Sequence, residues 1–275
     1  MKKRILLLTG KKAEGRKEDL FLAKYLKKKF IVQVSNINKC EDMAKTSDLI
    51  LIRNIWPTSN FLAQDRKILS SLIKKGMTIY NPGINEEDII GKEYLVYLYK
   101  KGFPVIPSID EKLDSDLISG QNFYFIKPKH GGGREGCKKI LAKDIRKVDF
   151  QKYIVQPFLD FKYEVSFYFI DNKFIYALYA PDKKKRWKLK ELKVNKKDRA
   201  FAQSFVNLNN LPYGIQRIDA CRTRDGSLLL MEIEDWCPYL SLLDINPRLR
   251  NKFMEKLVIS LSKVTSKKNT HKNKF

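Results

Sequence analysis

Short apolar runs separated by charged, amphipathic stretches dominate the first third of the chain. Ile5–Thr9, Ile31–Val34, Leu49–Arg53 and Met77–Asn81 read as short buried strands, because apolar runs of four or five residues mark strands covered on both faces. Residues 17–29 and 61–75 carry Lys, Arg and Asp on their outer faces and read as helices between them. Strands alternating with helices predict a parallel α/β sheet. Asn81-Pro82-Gly83 then punctuates the chain and closes this unit.

The pattern changes beyond that point. A helix over about 86–101 ends in Lys100-Lys101-Gly102 with Pro104 close behind. Strands follow at Phe123–Lys127, Tyr153–Gln156, Tyr163–Ile170 and Phe174–Ala180, the last two joined by a tight turn at Asp171-Asn172. A helix near 196–209 leads into a second hairpin over 215–234, and a closing helix lies near 248–264. Residues 265–275 carry four lysines and no acid, the signature of a loose tail. The expected organisation is an N-terminal α/β domain over 1–84, a second domain over 85–264 (subdomains about 85–154 and 155–264) and the basic tail.

Composition supports a globular chain: of 275 residues, 43% are hydrophobic and 12% aromatic. No apolar run approaches the ~20 residues of a membrane span. The first apolar stretch is too short for a signal peptide and meets Lys11-Lys12 at once, so a cytoplasmic protein with no membrane partner is expected. Cys40, Cys137, Cys221 and Cys237 form no CxxC pair and have no His cluster nearby, which argues against a zinc site and a disulfide framework. The net charge of +24 fits a polyanionic substrate, a nucleic acid, or a lysine-biased proteome. Lysines far outnumber arginines, and direct base readout leans on arginine, so sequence-specific nucleic-acid binding is not expected.

The most informative stretch runs from Arg217 to Glu234. Asp225-Gly226 is a preferred two-residue hairpin turn, and such a turn pairs Arg224 with Ser227. Asp219 then lies opposite Glu232 and Arg217 opposite Glu234, all four on one face because strand side chains alternate. A three-residue loop would shift this register by one. Unpaired buried carboxylates cost several kcal/mol each, so a cation is needed beside them. Hard oxygen ligands suit Mg²⁺. The plainer alternative is an exposed face with one cross-strand Arg–Glu pair. A second feature, Phe123-Tyr-Phe-Ile-Lys127-Pro-Lys-His130-Gly131-Gly132-Gly133-Arg-Glu-Gly136, ends a strand on a lysine and continues into a loop with four glycines. Glycines let backbone N–H groups approach phosphate oxygens, although the spacing matches neither a Walker A loop nor GxGxxG.

The order of these features resembles the ATP-grasp superfamily: Gly91-Lys92, the Gly102…Pro104 break, Lys127-Pro and the glycine loop, Tyr153-Ile-Val-Gln156-Pro-Phe-Leu159, Glu164, Arg217-x-Asp219 and Glu232-x-Glu234. The likeness covers about residues 85–245 and is nearest to glutathione-synthetase, D-alanine–D-alanine ligase and peptide-glutamylating types. Ile52-Arg-Asn-Ile-Trp56 and Glu232-Ile-Glu-Asp-Trp-Cys-Pro238 are also similar to amino-acid cyclo-ligases of the superfamily. The resemblance implies a parallel pre-grasp domain followed by a two-subdomain ATP-grasp fold. It implies that Lys92 and Lys127 contact ATP phosphates, covered by Gly131, Gly132, Gly133 and Gly136. It further implies that Gln156, Pro157, Phe158 and Leu159 face the adenine and that Glu164 holds the ribose. Asp219, Glu232 and Glu234 would bind two Mg²⁺, with Mn²⁺ as an alternative, and Arg217 would stabilise the transferring phosphoryl group. The family often has Glu in place of Gln156 and Asn in place of Glu234, and glutamate still ligates a metal.

Several of these residues have plainer readings: Lys92 as a solvated helix lysine, Glu164 as an outward strand position and His130 as a loop residue. The run 182–197 has nine basic residues within fifteen, with Trp187 among them, and reads either as a charged loop or as an attractor for an anionic substrate. The implied function is an ATP- and Mg-dependent ligase that joins a small-molecule or peptide carboxylate to an amine, or a related nucleophile, through an acylphosphate. The rivals are a kinase acting on a polyanion such as an inositol phosphate, and a basic nucleic-acid-binding protein without catalysis. Substrate specificity is expected at Arg53, Asn54 and Trp56 and around Trp236 to Asp244. A homodimer is the oligomeric state common among similar enzymes.

Overall fold

The computed structural model describes residues 1–10, 13–54, 61–81, 91–130, 135–185, 187–209 and 211–266 and is organised around three sheets. Strands β1 (Arg4–Leu8), β2 (Ile31–Ser35), β3 (Leu49–Ile52) and β4 (Ile79–Tyr80) pair in parallel in the order β2-β1-β3-β4. Helices α1 (Ala13–Leu26), α2 (Glu41–Lys45) and α3 (Phe61–Lys74) connect them. Ile5, Leu7, Leu49 and Leu51 enter one core while Leu6, Leu8, Ile50 and Ile52 enter another. A sheet buried on both faces explains the unbroken apolar runs.

Helix α4 (Glu93–Lys100) stops at Gly102, whose φ of 77° closes the end. The Gly102 N–H donates to the Tyr99 carbonyl at 2.9 Å and the Phe103 N–H to the Leu98 carbonyl at 3.0 Å, so carbonyls left over by the last turn are satisfied. A three-stranded antiparallel sheet follows, β6-β5-β7, built from β5 (Phe123–Pro128), β6 (Lys138–Leu141) and β7 (Tyr153–Pro157), with a small core of its own. The third sheet is antiparallel and ordered β10-β9-β8-β11-β12. Its strands are β8 (Tyr163–Ile170), β9 (Lys173–Ala180), β10 (Lys190–Glu191), β11 (Ile215–Arg222) and β12 (Leu228–Glu234), with α5 (Lys196–Asn209) inserted before β11. Asp171 and Asn172 join β8 to β9 with φ of 47° and 61°, the left-handed pair that a two-residue hairpin turn needs. Helix α6 (Pro247–Ser266) begins with Pro247 in its first turn and Asn246 as its cap, whose side-chain oxygen accepts the Leu249 N–H at 2.9 Å.

The mixed α/β architecture expected from the sequence is present, with its parallel sheet first. Differences lie at element ends. The first helix spans Ala13–Leu26 rather than 17–29, because Lys27–Lys29 turn the chain tightly into β2. The fourth strand shrinks to two residues. Helix α6 runs through Ser266 where a tail from 265 is expected, because Val264 and Thr265 are buried. Strand β6 and helix α2 have no counterpart in the sequence reading. Residues 82–90 and 267–275, parts of the expected helix and tail, lie outside the described residues. Among the described residues no helix is long and apolar enough to cross a membrane.

One core joins the parallel sheet to the five-stranded sheet: Leu7, Leu51, Tyr168, Ile170, Phe253 and Leu257 all belong to it. A polar staple reinforces the joint. Asn81, buried and at φ 57°, donates to the Asp235 carbonyl at 2.7 Å and accepts from the Ile215 N–H at 2.9 Å. Asn81→Ala strands these backbone groups and places a Cβ without a compensating side chain in the left-handed region. It is expected to cost about 3 kcal/mol, measured by denaturant unfolding. A loss below about 1 kcal/mol would show that the staple is redundant.

Candidate active site

The hairpin β11–β12 delivers the acidic face. Arg217 pairs with Glu234 and Asp219 with Glu232, the register expected at the site. The turn is not the expected two-residue one. Thr223 pairs with Ser227 around a three-residue loop, Arg224–Gly226, with Gly226 at φ 95°. Asp-Gly suits this turn equally, since a type I turn followed by a left-handed glycine is the usual three-residue hairpin. The one-residue shift that such a loop imposes is undone by a β-bulge: Ala220 pairs with Leu230, so Met231 is the extra residue on β12.

Around this face the charges interlock. Arg217 donates to Asp219 through Nε at 2.9 Å and Nη2 at 2.8 Å, to Glu234 through Nη2, and to the Tyr239 carbonyl through Nη1 at 2.9 Å. Burial weakens the Arg217 charge, but Asp219 and Glu234 outweigh it and raise the pKa well above the usual arginine value. Lys92, only 8% exposed and therefore no solvated helix lysine, places Nζ 3.1 Å from Glu232. Lys127, 7% exposed, directs Nζ to the Met231 carbonyl at 3.4 Å. The Lys92 N–H donates to the Lys129 carbonyl at 2.9 Å, stitching the two lysine-bearing segments together. Burial pushes the Glu232 carboxyl up, but Lys92, Lys127 and Arg217 overcome that and hold it below the usual glutamate value. It is therefore ionised at neutral pH.

Two contiguous cavities meet here. One, of about 210 Å³, contains Lys92, Arg217, Asp219, Glu232 and Glu234. The other, of about 400 Å³, is lined by Ile106 and the segment Gln156, Pro157, Phe158 and Leu159. Phe125, Lys127, Glu164, Ala180 and Met231 line both, so Glu164 faces the cavities rather than open solvent. The Gln156 side chain is turned away to donate to the Ser108 hydroxyl at 2.8 Å. Gly136 is described, with φ 76°, whereas Gly131, Gly132 and Gly133 lie outside the described residues.

The expected specificity positions are redistributed. Arg53 is 1% exposed and bound to Glu18 at 3.1 Å and Asp19 at 3.3 Å, so it serves the fold. Trp236 is buried under the parallel sheet. Asn54 donates to Asp19 at 2.9 Å, and Trp56 lies outside the described residues. Tyr239 and Ser241, within the expected 236–244 stretch, do reach the acidic cavity, together with Ser166, Tyr168 and Trp187. Glu18 holds the Tyr239–Ser241 segment by accepting the Leu240 N–H at 3.0 Å and the Leu242 N–H at 2.8 Å. Ser166 and Tyr168 sit at alternate positions of the strand read from the sequence, a periodicity that marks their face but not its purpose.

Whether the donor set suits a hard divalent cation can be read from its chemistry. Three carboxylates line one wall of the cavity and Glu232 is held ionised. Among the described residues no three acidic, His or Cys side chains form a ready metal cluster. An ion such as Mg²⁺ takes one or two carboxylates and completes its shell with phosphate and water, so one or two of these acids are enough for it. Thiol chemistry offers an independent probe of the cavity. Cys137 lines it, while Cys40, Cys221 and Cys237 are buried, and burial pushes the Cys221 thiol up to about 11. Iodoacetamide at pH 8 is expected to alkylate Cys137 and spare the other three in the folded protein, scored by peptide mass. Modification of Cys221 at a comparable rate contradicts the geometry.

No protein-family model matches the sequence, and comparison with curated proteins finds no match. Solved structures do match. D-cycloserine synthetase DcsG superposes with a TM-score of 0.75 at 16% identity, over 94% of this chain and 99% of that one. D-alanine–D-alanine ligase from Bacillus anthracis, complexed with ATP, gives 0.67 at 16% identity over 96% and 98%. The ATP-grasp ligase PsnB, complexed with a minimal precursor, Mg and ADP, gives 0.64 at 15% identity over 95% and 97%. Likeness at such identities is likeness of fold, and along nearly its whole length this chain shares the fold of these enzymes, the ATP-grasp ligase PsnB among them.

Proposed function

We propose that the protein is an ATP- and Mg-dependent ligase that joins a carboxylate to an amine or a related nucleophile. One observation carries the reading: Lys92, Lys127 and Arg217 converge on a face bearing Asp219, Glu232 and Glu234, beside a second cavity fit for a nucleobase. The neighbours in fold include ligases complexed with ATP and with Mg and ADP.

In this reading Lys92 and Lys127 bind phosphate oxygens, with Gly131, Gly132, Gly133 and Gly136 over them. Gln156 to Leu159 bound the adenine, and Glu164 takes the ribose hydroxyls. Asp219, Glu232 and Glu234 would hold Mg²⁺, as one ion or two, and the metal would shield the triphosphate's charge when bound. The substrate carboxylate takes the γ-phosphoryl group and ADP leaves; the amine nitrogen then bonds to the acyl carbon, loses its proton, and inorganic phosphate departs. Arg217, anchored by two carboxylates and a carbonyl, faces the transferring group and stabilises its charge. No protein nucleophile is required; positioning and electrostatics supply the rate. The enzyme works in the cytoplasm.

The test is an ATP-turnover screen with amino acids, short peptides and inositol phosphates, the products weighed by mass spectrometry. ADP and phosphate should appear in step with a condensed product. Phosphate retained on the acceptor would make the protein a kinase on the same scaffold.

A further inference from the structure

The segment between β9 and α5 is far more basic than the fold requires. Seven exposed lysines fall between positions 184 and 197. The nearby acids are engaged elsewhere. Asp182 accepts the Lys184 backbone N–H at 2.8 Å, Glu191 accepts from Asn246 at 3.3 Å, and Asp198 binds Arg222 at 2.5 Å. Among the described residues none of these lysine side chains forms an ion pair.

The position of the segment matters as much as its charge. Trp187 and Leu189 line the cavity that holds Arg217 and the three carboxylates, yet Trp187 is 73% exposed. Lys190 then starts β10, the outermost strand of its sheet, whose far edge has no strand beside it among the described residues. A path therefore leads along a short sheet edge, Lys190–Glu191, flanked by exposed lysines, past an exposed indole, into the candidate active site.

We propose that this segment docks an acidic peptide, with its glutamates and aspartates on the lysines, its extended backbone along the β10 edge, and one carboxylate fed past Trp187 into the cavity. An exposed edge accepts an added strand through main-chain hydrogen bonds, and opposite charges fix its approach. A nucleic acid fits less well: the charges are mostly lysine point charges rather than planar guanidinium groups, and a single indole offers one stacking surface instead of a series. The docking surface stands without the ligase reading; only the fate of the delivered carboxylate rests on it.

The test uses the full chain and a fluorescein-labelled glutamate-rich peptide, followed by anisotropy at physiological salt, with a single-stranded oligo(U) of equal charge as competitor. Lys184→Glu/Lys185→Glu/Lys188→Glu should weaken peptide binding about tenfold or more. The control Lys24→Glu/Lys27→Glu/Lys29→Glu, which reverses as many exposed charges elsewhere, should leave it within about twofold. Trp187→Ala should raise the peptide concentration needed for half-maximal ATP turnover without changing nucleotide affinity. Equal weakening in both triple variants, no peptide binding by the unaltered protein, or preferential capture of oligo(U) would each overturn the proposal. Nucleotide affinity, measured separately with a fluorescent ATP analogue, reads the ligase assignment on its own: its absence removes that assignment and leaves the peptide result to stand or fall by itself.

Discussion

Glu232→Gln is expected to cut ATP-dependent turnover by about 10²–10³-fold while shifting the melting temperature by only about 2–4 °C. The substitution keeps the shape of the side chain and removes one charge. That charge lies 3.1 Å from Lys92, opposite Asp219, and is held ionised by three cations. Without it, buried Lys92 loses its ion-pair partner and a divalent ion held there would lose a ligand, so the magnesium requirement should rise along with the loss of rate. The fold should survive, because Glu232 stands on a cavity wall rather than in a packed core. Its lowered carboxyl fixes the pH behaviour: the charge is complete at neutral pH, and its contribution is lost only as pH falls through that lowered value. A variant whose turnover stays within about threefold of the parent would remove this carboxylate from the chemistry.

Arg53→Met should destabilise the protein by about 3–5 kcal/mol at neutral pH, enough to threaten folding. Arg53 is the guanidinium shared by two fully buried acids, Glu18 and Asp19. Burial already pushes both carboxyls above their usual values, outweighing the pull of Arg53. Groups raised in this way favour the folded state below their unfolded pKa and lose that contribution as pH rises through the folded one. The deficit of the variant should therefore shrink toward mildly acidic pH, where Glu18 and Asp19 can protonate. Chemical denaturation at two pH values measures this; a deficit that does not change with pH would mean that the acids are not left charged in the variant.

These two sites differ in how visible they are along the chain. The register of the acidic face was legible because a turn and the alternation of strand side chains are local, and local rules placed Arg217, Asp219, Glu232 and Glu234 together. The manner of closure was not. Asp225-Gly226 satisfies a two-residue and a three-residue turn alike, and a bulge at Met231 changes nothing in composition. Arg53 reads as a specificity position and Asp19 as an outer-face helix charge, because the packing of α1 against the 240–242 segment, more than 220 positions away, is invisible along the chain. Trp236 was misplaced for a related reason: an aromatic after a charged strand end suits a binding wall and a core equally, and the parallel sheet claims it. Strand β6 was hidden because two of its four residues are lysines, one of which, Lys139, lies over the rings of Phe123 and Phe158 at 3.8 and 4.0 Å.

The extra residue at Met231 works as an expansion joint. Between it and the tip, the two strands run one step out of phase with the segment that carries the acids, so the tip's geometry is insulated from the chemistry by four paired positions and a gap. The same gap exposes the Met231 carbonyl to Lys127 and lets the residue border both chambers. Grafted loops of other lengths at Arg224–Gly226 should thus be absorbed at the tip, whereas deleting Met231 alone would leave Asp219 opposite Glu232 and Arg217 opposite Glu234 in a regular ladder and remove only the carbonyl that Lys127 reaches.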